Sequence, residues 1–429
     1  MKRKLIATGA LTAALAMALV GCAGTPEQAA PTSTAGGPKT TLTVAVWNLA
    51  QTPEFNALFT AFEKANPNII IQPVDILAAN YEDKITTMLA GGDTTDVITV
   101  KNTTDYAGYA SRKQFIDTTS LVNGLADKSK LAGLSAYDFK GKYYAVPYRT
   151  DFSVLYYNKT MFKDAGVADP ANLTWSQFAS DAKKLTKGTG PTKVYGAYIH
   201  TWNSLVQGIA TAQTGKDALS GNYSYMADQY NMTLGLQKAG AIMDFATASS
   251  QQTKYQAMFE SGQAAMVPMG TWLIAPLLAD KASGATKIDW GIAPLPQIKS
   301  GGKVVTDGGP TGFGINKNST HVAAAKKFLQ FAASPAGAKA VASVGIVPAY
   351  QSPEITKQYF GLAGIPQDAI SKKAFAPDKV NYDMPVNSNT AAASTIMNQE
   401  HQLIMTGSET VDAGLADMGN RVKSEVLQK

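Results

Sequence analysis

Residues 141–162 read GKYYAVPYRTDFSVLYYNKTMF. A hairpin tip at Gly141-Lys142 leads into an extended run, Tyr143 to Val146. Pro147 interrupts that run, because proline brings no N–H to a strand ladder and restricts the residue before it. A second extended run follows, Phe152 to Tyr157. Two strands meeting end to end at a proline mark a place where the chain leaves one lobe and enters another. The junction holds Tyr148, Arg149, Thr150 and Asp151. A charged pair between two apolar strands costs too much to bury without a partner. The junction is therefore an exposed loop or the wall of a cleft, and we read it as the cleft.

Upstream, strands and helices alternate. Thr41 to Trp47 puts Leu42, Val44 and Val46 on one face of a strand. Pro53 opens a helix whose stripe is Phe55, Leu58, Phe59 and Phe62, and Asn66-Pro67 ends it. Asn68 to Pro73 is a second strand. Tyr81, Ile85, Met88 and Leu89 mark a second helix, closed by Gly91-Gly92. Asp96 to Val100 is a third strand. This alternation predicts a mostly parallel α/β sheet. Downstream, Thr174 caps a helix over Trp175 to Leu185. The glycine-rich run Asp307 to Ile315 reads as a turn where the backbone must come close to something. Ser319 or Thr320 caps a helix with the stripe Val322, Ala325, Phe328, Leu329 and Ala332. From about Pro353 the chain reads as helical.

A chain of 429 residues exceeds what one core supports, so two or more packed units are expected. The N-terminus predicts the compartment. Met1 to Lys4 is a positive n-region, Leu5 to Val20 an apolar h-region, and small residues follow, the pattern of a secretory signal over residues 1–21. Leu19-Val20-Gly21-Cys22 resembles the bacterial lipobox, in which the cysteine is lipidated. Cys22 is the only cysteine, so no intrachain disulfide forms. The Ala-, Gly-, Pro-, Ser- and Thr-rich stretch after it, to residue 40, reads as a flexible tether. The expected location is the extracytoplasmic face of the cell membrane, held by the lipid. Setting aside Lys2, Arg3 and Lys4 leaves 35 of the 38 basic residues against 32 acidic ones. No basic run makes a nucleic-acid footprint, so no nucleic-acid partner is expected.

The search for catalytic chemistry returns little. His200, His321 and His401 are widely spaced and read as surface or capping residues, so no metal is expected. There is no G-x-S-x-G elbow, and the glycines at 308, 309, 312 and 314 make no nucleotide fingerprint, so no cofactor is expected. Tyr156 and Tyr157 are neighbours in a strand pattern and point to opposite faces, which disfavours a shared metal. Aromatic residues do stand beside polar ones at element ends: Trp47-Asn48, Asn80-Tyr81, Trp202-Asn203 and Trp272. A flat ring suits the C–H face of a sugar, with polar neighbours for its hydroxyls.

Five segments, in order, resemble the extracellular solute-binding proteins of ABC sugar importers, the family that includes maltose-binding protein: TLTVAVWN; YEDKITTMLAGGDTTDVITV; GKYYAVPYRTDFSVLYYNKTMFKDAGV; MFESGQAAMVPMGTWL; and GGPTGFGINKNSTHVAAAKKFLQFAASP. The resemblance implies an α/β, two-lobe periplasmic-binding-protein-like fold of type II, with the ligand cleft between lobes. It places residues 41–150 and 308–352 in one lobe and 151–307 and 353–429 in the other. Asp151 takes the place of an acidic residue that accepts sugar hydroxyls, beside Arg149, and Trp272 that of a stacking tryptophan. Asn48 beside Trp47, Glu54, and Lys101-Asn102 after the third strand match ligand-touching regions, and Gly309 lets backbone approach the sugar. Tyr81, Trp202, Asn203 and Tyr382 are further candidates. The implied function is binding without catalysis: a monomer delivers a mono- or oligosaccharide to the transmembrane subunits of an ABC permease. The alternative is the same scaffold holding a non-sugar solute such as a polyamine, a peptide or a glycerophosphodiester. A cell-surface hydrolase would need a second carboxylate at a defined separation from Asp151.

Overall fold

The computed structural model describes residues 39–428, so the signal segment, Cys22 and all but the end of the tether lie outside the described residues. Ten strands occur in chain order: β1 (Thr40–Trp47), β2 (Ile69–Ile76), β3 (Val97–Val100), β4 (Asp138–Phe139), β5 (Lys142–Tyr143), β6 (Ala145–Asn158), β7 (Met266–Gly270), β8 (Trp290–Pro294), β9 (Val305–Ile315) and β10 (Lys379–Asn381). Eight of them form one sheet with the path β2-β1-β3-β9-β6-β7, in which β8 also pairs with β6 and β10 with β9.

Two long strands run through this sheet and change partners on the way. The first half of β6, from Ala145 to Phe152, pairs with β9. Its second half, Ser153 to Asn158, lies between β7 and β8. Likewise β9 pairs with β10 through Val305 to Asp307 and with β3 through Gly312 to Ile315. The partner exchange on both strands falls at Asp151–Ser153 and Asp307–Gly309.

Several expectations need correction. The sheet is mixed rather than mostly parallel: β1–β2, β1–β3 and β9–β10 are parallel, and β6 and β9 are antiparallel to their other neighbours. Antiparallel pairs need no crossover helix, so strand–helix alternation upstream carried no information about them. Pro147 does not split the strand. It sits opposite Gly312, and the irregularity is a register shift between Pro147 and Arg149 inside a continuous β6. The hairpin tip is Lys140-Gly141, both at positive φ (56° and 78°), one residue earlier than expected. The glycine-rich run is a strand rather than a turn. A Cβ on Gly308 would strike the Asp151 carbonyl, and one on Gly312 would lie 2.6 Å from the Val146 carbonyl oxygen. The neighbour that the glycines admit is β6 itself.

Helices cover the sheet. Phe55, Leu58, Phe59 and Phe62 bury one face of the helix Pro53–Ala65, and Phe62 meets Phe328 of the helix Val322–Ala332 at 5.2 Å between ring centres. Neither Ser319 nor Thr320 caps that second helix; its N-cap is His321, and Ser319 Oγ donates to Asp96 instead. Thr174 does cap Trp175–Leu185, in a reciprocal box with Gln177. One apolar core runs along the whole sheet. A smaller one, with Tyr230, Ile396 and Met418, joins the C-terminal helices Thr390–Thr406 and Val411–Val422 to Ala227–Lys238. His401 lies in that core against Tyr230, not on the surface, and burial pushes its imidazole down to about 3.

Candidate functional site

Arg149 is the hub of the region where β6 changes partners. Its Nη1 donates to Glu54 Oε1 at 2.6 Å, and its Nε lies 3.1 Å from Asp151 Oδ2 and donates to Thr311 Oγ1 at 3.2 Å. The guanidinium also sits 5.5 Å from the Trp47 ring centre. All three charged residues are buried, at 1, 7 and 4% exposure for Glu54, Arg149 and Asp151. The partner that the Arg149–Asp151 pair requires is thus Glu54, on the first turn of the helix after β1. Burial raises both carboxyls, and Arg149 opposes that shift in each.

Asp151 links this triad to an aromatic wall. Thr271 Oγ1 donates to Asp151 Oδ1 at 3.0 Å, and the next residue is Trp272. The ring of Trp272 folds back over Gly270, where any side chain would collide with it. Trp202 lies 6.3 Å from Trp272 and 5.6 Å from Tyr255, ring centre to ring centre, and is 43% exposed. His200 packs on Trp202 at 4.6 Å, and burial lowers its imidazole to about 4.

On β9, Gly309 pairs with Asp151 and leaves its own face open, with the Tyr382 ring 3.9 Å from where a Cβ would stand. The Tyr382 hydroxyl reaches Ser135 Oγ at 3.3 Å. Arg149, Asp151, Trp202, Trp272, Gly309 and Tyr382 therefore lie along one connected set of contacts with Thr271 and Tyr255. Asp151 retains acceptor capacity, since each carboxylate oxygen has two lone pairs and each is engaged once.

Other candidates are engaged elsewhere. Tyr81 is buried, and its hydroxyl donates to the carbonyls of Ala45 and Thr99 at 3.2 and 2.8 Å. Trp47 is buried edge-on against Phe55 and Tyr81, where it backs Arg149. Asn48 adopts φ 41° and accepts from the Ala78 N–H at 2.9 Å, so it locks a turn. Lys101 and Asn102 both bond Glu82, and Lys101 also donates to the Ala78 carbonyl. Asn203 donates to Gln207 at the start of a helix. A separate recess of about 860 Å³, lined by Gln351, Pro353, Phe360 and Phe375 among others, contains no candidate residue.

The sequence reading missed Thr271, Tyr255, Ser153, Thr311 and Asp307. Asp307 Oδ2 accepts from Ser153 Oγ at 3.0 Å on the neighbouring strand. Its signal was its place two residues before Gly309, on the same face of an alternating strand.

A mixed α/β sheet whose two long strands pass from one set of partners to another defines a two-lobe solute-binding fold, with polar and aromatic side chains collected at the passage. The chain belongs to the bacterial extracellular solute-binding proteins, whose family model matches residues 47–339. It is 25% identical over 233 residues to an arabinooligosaccharide-binding protein of Halalkalibacterium halodurans, an alignment covering 51% of this chain. The match spans about half (50%) of that relative's own length. A sugar transporter of Rhizobium etli, solved in an open conformation, superposes with a TM-score of 0.75 at 35% identity, covering 90% of this chain and 99% of that one. An ABC substrate-binding protein of Listeria monocytogenes in complex with cycloalternan superposes at 0.78 with 22% identity, covering 90% and 99%, a likeness of fold. Among the described residues no helix is long and apolar enough to cross a membrane, and no cluster of three or more His, Cys, Asp or Glu could hold a metal.

Proposed function

We propose that the chain is the substrate-binding component of an ABC importer and takes a carbohydrate between its lobes. The reading rests chiefly on one dipeptide: Thr271 bonds the Asp151 carboxylate, and Trp272 extends the aromatic wall made with Trp202. Acceptors for hydroxyls beside a flat apolar surface are what a sugar ring presents chemistry for. Segments 41–150 with 308–352, and 151–307 with 353–429, act as the two lobes, and β6 and β9 cross between them. Closing about those strands buries the solute and shifts the population toward the closed form. The monomeric closed form presents both lobes to the permease, while a lipid on Cys22 holds the protein at the extracytoplasmic membrane face. The protein binds and releases without chemistry.

Calorimetric titration of the purified protein against arabinotriose, maltotriose, mannobiose and simple hexoses tests this. One saccharide bound per chain, unchanged after prolonged incubation, is the expected result. Heat from spermidine, a peptide or a glycerophosphodiester alone would replace the carbohydrate with that solute, and hydrolysis of a bound sugar would replace the transport role with an enzyme.

A further inference from the structure

The Glu54–Arg149–Asp151 cluster does not exhaust the acidic groups at the crossing. Asp151 and Ser153 share one face of β6, and Gly309, paired with Asp151, shares that face with Asp307 and Thr311 of β9. Asp307 therefore stands on the same face as the triad, one step further along. It is 7% exposed. Its Oδ2 takes the Ser153 hydroxyl, and its Oδ1 has no hydrogen-bond partner among the described residues.

Among the described residues no cation fills that gap. Arg149 is committed to Glu54 and Asp151. On β10, Asn381 pairs with Asp307 but spends its amide on the Ala212 carbonyl, and Lys379 pairs with Val305 and faces solvent. The helix Gln207–Thr214, which packs on β9, contains no charged residue. Asp383, just beyond β10, adds a second carboxyl that acts on Asp307 and lies against Gly208, where a Cβ would approach its own Cβ to 2.9 Å. Buried polar atoms are nearly always satisfied, and leaving a charged acceptor without a donor is unfavourable.

We propose that Asp307 reads the ligand: its free Oδ1 receives a hydrogen-bond donor of the bound solute, either a sugar hydroxyl or the ammonium of an amino sugar. This rests on the carbohydrate reading above and adds a specific acceptor to it. Burial, with Asp383 beside it, pushes the empty carboxyl up to about 7. A ligand donor favours the ionised form, so the O–H bond of the protonated carboxyl breaks on binding and its proton passes to the buffer.

The test is titration of the wild-type protein with arabinotriose, maltotriose, mannobiose, cellobiose and fully deacetylated chitobiose, in pH 7 buffers of different ionisation enthalpy. For a neutral saccharide the expected result is heat that varies with the buffer, corresponding to about half a proton released per ligand; an amino sugar also takes up protons at its own amine, so its buffer dependence is compared between wild type and Asp307→Asn. Asp307→Asn should abolish that dependence and weaken binding about ten- to a hundred-fold. Tighter binding of the deacetylated chitobiose than of cellobiose assigns the donor to an ammonium; a neutral saccharide binding as well or better assigns it to a hydroxyl. A bound neutral saccharide whose heat is the same in every buffer, or an amino sugar whose buffer dependence is the same in wild type and Asp307→Asn, overturns the proposal and leaves the carbohydrate reading standing. So does affinity of Asp307→Asn within two-fold of wild type. Silence from every saccharide removes the carbohydrate reading, and this inference with it. If Asp307→Asn does not fold, the wild-type buffer series decides alone.

Discussion

Two pairs of carboxyls meet where the long strands β6 and β9 run together, and the protein treats them differently. Glu54 and Asp151 share a cation: Arg149 bonds both, and Thr271 donates to Asp151 as well. Asp383 acts on Asp307, no cation among the described residues pairs with it, and Asp307 has one oxygen left unpartnered. In the first set each carboxyl already has the cation beside it, and this fixes where the helix after β1 meets β6. The second is incomplete, so its electrostatic balance waits on what enters the cleft. Carboxyls paired with a cation maintain the fold here, and a carboxyl without one is available for recognition.

The sharpest way to break this comparison is Arg149→Met. It leaves two buried carboxylates facing each other without their cation, and it should lower unfolding stability by about 3–5 kcal/mol in a urea titration at pH 7. A loss under about 1 kcal/mol would mean that the triad is not structural. Asp307→Asn should do the opposite. The folded Asp307 has a pKa near 7 against an ordinary value of 3.8, so between those values the folded state holds a proton that the unfolded state has lost. Stability from this group is therefore greatest below about pH 4 and falls as pH rises toward 7. The asparagine variant should be more stable than wild type by about 2–4 kcal/mol at pH 8, with the gap closing by pH 4. Thermal melts of both proteins across that range check the sign. A site residue that reduces stability is the common pattern where binding needs an unsatisfied group.

Trp272→Ala sharpens the other half of the site. It removes the ring beside Trp202 without touching either set of carboxyls, and should weaken saccharide binding by about 1–3 kcal/mol with little change in melting. The smallest effect belongs to Tyr81→Phe. Its hydroxyl bonds only backbone carbonyls, so the change should cost about 0.5–1.5 kcal/mol of stability and leave affinity unaltered. A loss of affinity there would return Tyr81 to the ligand.

Much of the fold was legible where its signals are local. Proline at the first turn and four apolar residues at helical spacing define Pro53–Ala65, and Thr174 with Gln177 defines the start of Trp175–Leu185. Asp151, Arg149 and Trp272 were legible through the order of short motifs around them. The glycine-rich strand was not, because glycine marks turns far more often than the crossing of two backbones, and only the presence of β6 alongside explains Gly308 and Gly312. The tryptophans show the same limit. Trp47 and Trp202 both precede an asparagine, yet one is sealed behind Arg149 and the other is 43% exposed.

The sequence by itself determined the alternation of elements upstream, the buried stripes, the Thr174 cap and the passage of the chain through a polar junction, since each depends on residues close together in the chain. Only the tertiary structure decided which carboxyls are paired with a cation. Glu54 and Arg149 are 95 residues apart and Ser153 and Asp307 are 154 apart. Whether a buried carboxyl has a cation or lacks one depends on which distant strand lies across from it, and local sequence does not encode that distance.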